Sequence, residues 1–394
     1  MDRLRAAAQN RSTANPGAYD RYRSHDLLRA RAAHSIRVGW SARDGDLRPS
    51  SQGTFHIMLI RNRAYHLLAV TIFLLACGSS AALPPATVPP VIVMTAAPSS
   101  TPVPFTETPI PTVTPTPLPK SSRVLIVSFD GLRPDAIREA NMVNVMSLME
   151  SGAYSLTART IMPSTTLPSH SSMLVGTCPA KHIVRWNEYV PQNGYAMGTD
   201  IFDLVHAAGL RTVMVVGKEK LRQVTEPAST DYFAFVDDTD KIDDPYRIEQ
   251  LVIRQLDQGF SLMFVHFPNG DLAGHEYGWM SRRQLETYNN DDESLGFILQ
   301  SLKSRDMYDN TLIIITSDHG GHDTTHGYDV PEDRTIPWAA VGPGILPVQL
   351  ASQIHTMDTA ATAAFALGLP IPPEWDGQPV YEAYGLPPGN SGGC

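Results

Sequence analysis

RVLIVSFDG, residues 123–131, decides the fold of this chain. Val124 to Val127 are four apolar residues in a row, three of them β-branched, with no polar residue between them. An unbroken apolar run of this length, bounded by a turn signal, predicts a strand buried on both faces. The same pattern returns at 211–216, at 260–267 (FSLMFVHF), at 311–316 (TLIIIT) and at 335–341. Between these runs lie helix-like stretches at 134–152, 201–208, 248–256, 284–302 and 357–367. Strands alternating with helices predict an α/β fold, a mainly parallel sheet sandwiched between helices.

In such sheets ligands bind beyond the carboxyl ends of the strands. Asp130 follows the first run, Asp271 and His275 follow FSLMFVHF, and Asp318, His319, His322 and His326 follow TLIIIT. A single Asp after a strand is an ordinary turn or helix cap. Three strand ends carrying acids and histidines are a cluster, because the topology brings them to one edge. Carboxylate oxygen and imidazole nitrogen are the ligands zinc takes when thiolates are absent, and two ions need about six of them. Asp271 and His275 are four apart and share a face if helical. Asp318 and His319 are adjacent and would point apart in an extended segment. They would then serve one ion each, or one ion from opposite sides.

A nucleophile is needed beside the ions, and residues 162–176, MPSTTLPSHSSMLVG, are rich in hydroxyls. A threonine hydroxyl is a poor nucleophile unless coordination lowers its pKa. Pro168 followed by 169–174 predicts a helix start, whose N–H groups suit a phosphoryl oxygen.

The set VSFDGLRPD, PSTTLPSH, DLAGHEYG and SDHGG resembles, in order, the type I phosphodiesterase/nucleotide pyrophosphatase branch of the alkaline-phosphatase superfamily. The resemblance spans nearly all of 123–380. It implies an alkaline-phosphatase-like fold, two divalent metal ions (zinc by ligand type), and hydrolysis of a phosphodiester or nucleotide pyrophosphate through a phosphothreonine at Thr166. Asp130, Thr166, Asp318 and His319 would hold one ion, and Asp271 and His275 the other. Asn187, in GTCPAKHIVRWNEY, maps to the asparagine that donates to the transferring phosphoryl group. The family's late histidine has no counterpart in PPEWDGQ, 372–378. His326 takes its place as third ligand of the second ion, with His322 and His355 in reserve. His170 is read as a support of the nucleophile loop, and His182 and His206 as structural.

Composition sets limits on partners. The chain has 394 residues and a formal net charge of -9, which argues against a stable nucleic-acid partner, since phosphate backbones need clustered Lys and Arg. A small phosphate-ester substrate is compatible, because bound metal supplies its own positive charge. A phosphomonoesterase would place a Lys or Arg on the extra phosphate charge, and Lys181, Arg185 and Lys218 are candidates. A surface lipoprotein that kept the fold without catalysis is a further alternative, expected to lose nucleophile or ligands, and phosphoryl or phosphoethanolamine transfer to a lipid or glycan through the same threonine is a third, expected to carry several transmembrane helices.

The three cysteines, Cys77, Cys178 and Cys394, do not make the even, patterned set of a disulfide framework. Cys178-Pro179-Ala180-Lys181 does not fit the sulfatase signature. Arg61 and Arg63 precede an apolar run at 67–76 that is too short to span a bilayer. It reads as an export signal ending Leu74-Leu75-Ala76-Cys77-Gly78, which resembles the bacterial lipobox. The expectation is a non-native extension at 1–57, a lipoprotein signal at 58–77, a Pro/Thr-rich disordered spacer at 78–120 and a catalytic domain at 121–388. The domain would be exported and lipid-anchored through Cys77 to the outer face of a bacterial membrane.

Overall fold

Strand β1 (Arg123–Phe129) stands inside an eight-stranded sheet, with parallel partners on both sides. The computed structural model describes residues 120–237, 245–390 and 392–394, all within the unit Phe105–Cys394. Across the sheet the order is β4 (Tyr232–Phe235), β3 (Thr212–Val216), β5 (Leu262–Phe267), β1, β6 (Thr311–Thr316), β7 (Thr335–Val341), β2 (Ala153–Arg159) and β8 (Val348–Gln349). The run from β4 to β6 is parallel, and β7 is antiparallel to both β6 and β2.

The lack of alternation in β1 has a direct cause. Val124 and Ile126 enter one hydrophobic core, while Leu125, Val127 and Phe129 enter another on the opposite face. Helices α3 (Thr166–Val175), α5 (Ile201–Ala207) and α10 (Asp358–Leu367) cover the first core. Helices α1 (Pro134–Glu139), α2 (Val143–Ser151), α6 (Tyr246–Leu256) and α8 (Arg282–Lys303) cover the second. Burying a side chain such as Phe264 or Ile314 stabilises the sheet by about 1.5–3 kcal/mol. The other helices of the described residues are α4 (Pro179–His182), α7 (Asn269–Tyr277) and α9 (Pro331–Arg334).

Several expectations are corrected. The helical stretch at 134–152 is two helices, because Asn141 takes a positive φ of 53° and Asp292 caps the second through the N–H groups of Asn144 and Val145. The helix after Pro163 begins at Thr166, two residues before Pro168. Cys178 and Cys394 form a disulfide across 216 residues, with Cα atoms 5.7 Å apart. An uneven count hid this pair; the third cysteine, Cys77, and with it the expected signal, lipid anchor and spacer, lie outside the described residues. No helix of the described residues is long and apolar enough to cross a membrane.

Candidate metal centre

Strands β5, β1 and β6 are neighbours, so their carboxyl ends deliver Asp271, Asp130 and Asp318 to one place. Gly131, at φ 72°, turns the chain sharply after Asp130, and its carbonyl accepts from Trp279 Nε1 at 3.0 Å. Trp279 also explains a glycine of the SDHGG motif: a Cβ on Gly321 would lie 2.1 Å from its ring. Asp271 and His275 share a face of α7, as the spacing predicts. The chain bends at Asp318 rather than running extended, so Asp318 and His319 converge instead of pointing apart. Asp318 Oδ2 and His319 Nε2 are 3.3 Å from each other.

Three imidazoles are oriented alike. Nδ1 of His319 donates to Gly320 O (2.7 Å), that of His275 to Thr324 O (2.9 Å) and that of His326 to Ser164 O (3.0 Å). A carbonyl only accepts, so each Nδ1 carries a proton and each Nε2 is the atom turned toward the carboxylates. His275 Nε2 and His326 Nε2 both lie 3.5 Å from Asp271 Oδ1. His319 Nε2 lies 3.3 Å from Asp130 Oδ1 and 3.5 Å from Thr166 Oγ1. Burial, reinforced by the neighbouring His319, pushes His326 down to about 3, and burial likewise lowers His319. The Nε2 lone pairs of His319 and His326 therefore face carboxylate oxygens with no proton between them. Asp130 Oδ1, Asp271 Oδ1 and Asp318 Oδ2 are buried without a hydrogen-bond partner. Such atoms repel one another unless a cation lies among them. The donor set fits divalent metal, and Asp271, His275 and His326 stand close enough to share one ion, as do Asp130, Asp271 and His319.

The opposite oxygens of Asp130 and Asp271 face Lys218, at the carboxyl end of β3, while that of Asp318 accepts from Gly131 N at 3.2 Å. Lys218 Nζ lies 2.7 Å from Asp130 Oδ2, 2.5 Å from Asp271 Oδ2 and 3.3 Å from Thr166 Oγ1. Burial opposes charge on Lys218, but the facing Asp130 and Asp271 outweigh it and raise its pKa. Burial pushes Asp130 up too, and the Lys218 ammonium and the His266 bond overcome it, holding the carboxyl well below the usual range. Asp318 has less compensation. Burial and the Asp130 charge push it up to about 7.

Thr166 is the first residue of α3, and its buried hydroxyl faces the cluster. Asn187 stands beside it. Asn187 Oδ1 accepts from Leu167 N at 2.9 Å and from Lys220 Nζ at 3.1 Å. That fixes the amide and leaves its NH2 as the donor on the other side. His170 supports the nucleophile segment as expected: Nδ1 donates to Thr166 O at 2.8 Å and Nε2 accepts from Ser128 Oγ at 2.9 Å.

Four histidines stand apart from the cluster. His322 pairs with Asp333 at 2.7 Å, His182 with Ser172 at 2.8 Å and His206 with Asp231 at 3.5 Å. His355 lines a separate cavity of about 490 Å³ with Arg159 and Arg334. Lys181 pairs with Asp376 at 2.5 Å, not with the cluster. Two residues of the centre escaped the sequence reading. His266 donates from Nε2 to Asp130 Oδ2 at 2.8 Å, and its Nδ1 accepts from Gly217 N at 3.2 Å. Lys220 is the other. Both left a signal: His266 is the polar residue in LMFVHF, and the lysines follow β3 as the acids follow β1, β5 and β6.

The same fold occurs in solved structures. Alkaline phosphatase PafA superposes with a TM-score of 0.57 at 12% identity, over 68% of this chain and 100% of that one. Murine ectonucleotide pyrophosphatase / phosphodiesterase 5, in an inactive form bound to AMP, superposes at 0.55 and 16%, over 64% and 96%. The chain is thus an α/β protein of alkaline-phosphatase-like architecture. More narrowly, the model of the type I phosphodiesterase / nucleotide pyrophosphatase family matches residues 124–367, and the chain belongs to that family. Among curated proteins it is 27% identical over 277 residues to human GPI ethanolamine phosphate transferase 2, catalytic subunit, covering 65% of this chain and 27% of that one. It is 23% identical over 235 residues to mouse ectonucleotide pyrophosphatase/phosphodiesterase family member 7, covering 53% and 52%. The chain spans between about a quarter and a half of these relatives' lengths.

Proposed function

We propose that the protein hydrolyses phosphate esters through a phosphothreonine at Thr166. The observation that carries this is the convergence of three partnerless carboxylate oxygens and three imidazole Nε2 atoms beside the Thr166 hydroxyl. Asp130, Asp318, His319 and Thr166 would hold one divalent ion, and Asp271, His275 and His326 the other. Zinc is the choice the nitrogen and oxygen donors favour. When bound, such ions supply Lewis-acid stabilisation of the attacking and leaving oxygens.

The chain's own residues do the rest. The Lys218 ammonium, 3.3 Å from Thr166 Oγ1, favours the deprotonated hydroxyl. Thr166 Oγ1 attacks phosphorus in line, and the ester oxygen departs opposite. The Asn187 NH2 and the Thr166 N–H at the start of α3 hydrogen-bond the nonbridging oxygens as their charge develops. Water then enters from the side the leaving group vacated and displaces the threonine oxygen. In the test, a nitrophenyl phosphodiester is turned over by wild type and Thr166→Ala, and acid-quenched protein is probed for phosphothreonine. Unchanged turnover by the variant would refute the mechanism.

A second reading has its own support. Lys218 and Lys220 flank Thr166 and Asn187, placing two ammonium groups where the transferring phosphoryl group would lie. A phosphomonoester carries one more negative charge there than a diester, so this pair favours the monoester. Paired rates on nitrophenyl mono- and diesters separate the two readings.

We also propose that the protein is exported and lipid-anchored through Cys77. The Cys178–Cys394 disulfide supports export, because such bonds persist chiefly in oxidising compartments.

A further inference from the structure

The Asn187 segment has almost no secondary structure of its own. From Trp186 to Ala196 it holds one 3₁₀ turn, Pro191–Asn193. A buried side chain from elsewhere replaces the missing ladder. Gln223, 1% exposed, ends the short turn Glu219–Gln223 that follows Lys218. Its Oε1 accepts from Val190 N (2.8 Å) and Trp186 Nε1 (3.3 Å), while its Nε2 donates to Val190 O (2.8 Å) and Gly194 O (2.6 Å). A side-chain amide has two donor hydrogens and two acceptor lone pairs, and all four are committed to this one segment. The Gln223 carbonyl adds a bond from Ala196 N at 2.8 Å. Trp186, one of the residues held, is the immediate neighbour of Asn187.

We infer that Gln223 is a positioning residue: its amide acts as a surrogate peptide unit that holds the 186–196 segment and so aims Asn187 at the phosphoryl group. The inference rests on the proposed role of Asn187. The neighbouring Lys220 steadies Asn187 directly through Oδ1, so one short stretch after β3 grips both the donor and the loop that carries it. Loss of the Gln223 amide leaves the loop free to shift by a fraction of an ångström. That is enough to weaken a donor that acts only when correctly aimed.

The test is a double-mutant cycle on the full chain with zinc supplied, using a nitrophenyl phosphate ester. Q223M keeps side-chain volume and removes all four bonds; Q223E keeps the acceptor and removes both donors. Q223M is expected to lower kcat about tenfold with KM changed less than about twofold, and to alter the emission of Trp186. In the Asn187→Ala background the same change should move kcat by less than about twofold, since nothing remains to be aimed. Should Q223M not fold, Q223E in the two backgrounds gives the same readout. If Asn187→Ala is slow but the Gln223 change costs the same factor in both backgrounds, Gln223 is structural only and the inference falls while the mechanism stands. If Asn187→Ala is itself without effect, the role of Asn187 fails, and the inference with it.

Discussion

His326 Nε2 faces Asp271 Oδ1 at 3.5 Å, the same distance that separates this oxygen from His275 Nε2. The two imidazoles are 5.0 Å apart by ring centroid and come from different segments, one on α7 and one on the loop after β6. If they share an ion, His326→Ala should bind one zinc fewer per chain than wild type, read by metal analysis after dialysis. His322→Ala should bind the full complement, because His322 is engaged with Asp333.

Lys220 should discriminate between substrates more than it affects the chemistry common to them. Lys220→Met is expected to lower kcat/KM for a nitrophenyl phosphomonoester by about tenfold or more, and for the diester by a smaller factor. Equal losses on both would reject the monoester reading. Burial and the Lys218 charge push Lys220 down to about 8, so the monoester advantage should fade as pH rises through that value.

His182 supplies a pH-dependent part of stability. Its Nδ1 accepts from Val184 N at 3.2 Å and its Nε2 donates to Ser172 Oγ at 2.8 Å, so the ring is held neutral. Burial pushes its pKa down to about 4. A depressed folded-state value means the native form binds fewer protons than the unfolded chain. The contribution is therefore complete above about pH 6.5 and is lost as pH falls through about 4. Denaturant melts of wild type and His182→Gln should differ most at pH 7. The gap should close toward pH 4, by on the order of 3 kcal/mol.

The disulfide should contribute to stability at every pH. Cys394→Ser is expected to lower the unfolding free energy by roughly 2–5 kcal/mol. A reductant should then change the Tm of wild type but not of the variant.

Much of this molecule is legible in its sequence, and for one reason. Strands such as β1 and β6 are buried on both faces, Val124 and Leu312 in one core and Leu125 and Ile313 in the other, and unbroken apolar runs record that. Acids at strand ends then mark the edge. What stayed hidden depends on contacts between distant parts. Strand β2, AYSLTAR, mixes buried and half-buried positions and lacks the apolar signature of the inner strands. The break near Asn141 follows from a cap supplied by Asp292, far along the chain. Gln223 looks like any surface glutamine until the fold closes over it. The direction of Asp318 is set by a local bend and not by strand geometry, so the residue pattern does not record it.

The sheet order carries a consequence for how this scaffold diversifies. The candidate ion-holding acids hang from the three adjoining strands β5, β1 and β6, whereas Lys218, Lys220 and Gln223 all hang from β3, one place further out. The two groups meet at Lys218, whose ammonium reaches Asp130 and Asp271 from the end of β3. Under the proposed function, changes at Lys220 alone would retune which esters are favoured, while Lys218 and Gln223 in the same six-residue loop stay tied to the acids and to the Asn187 segment.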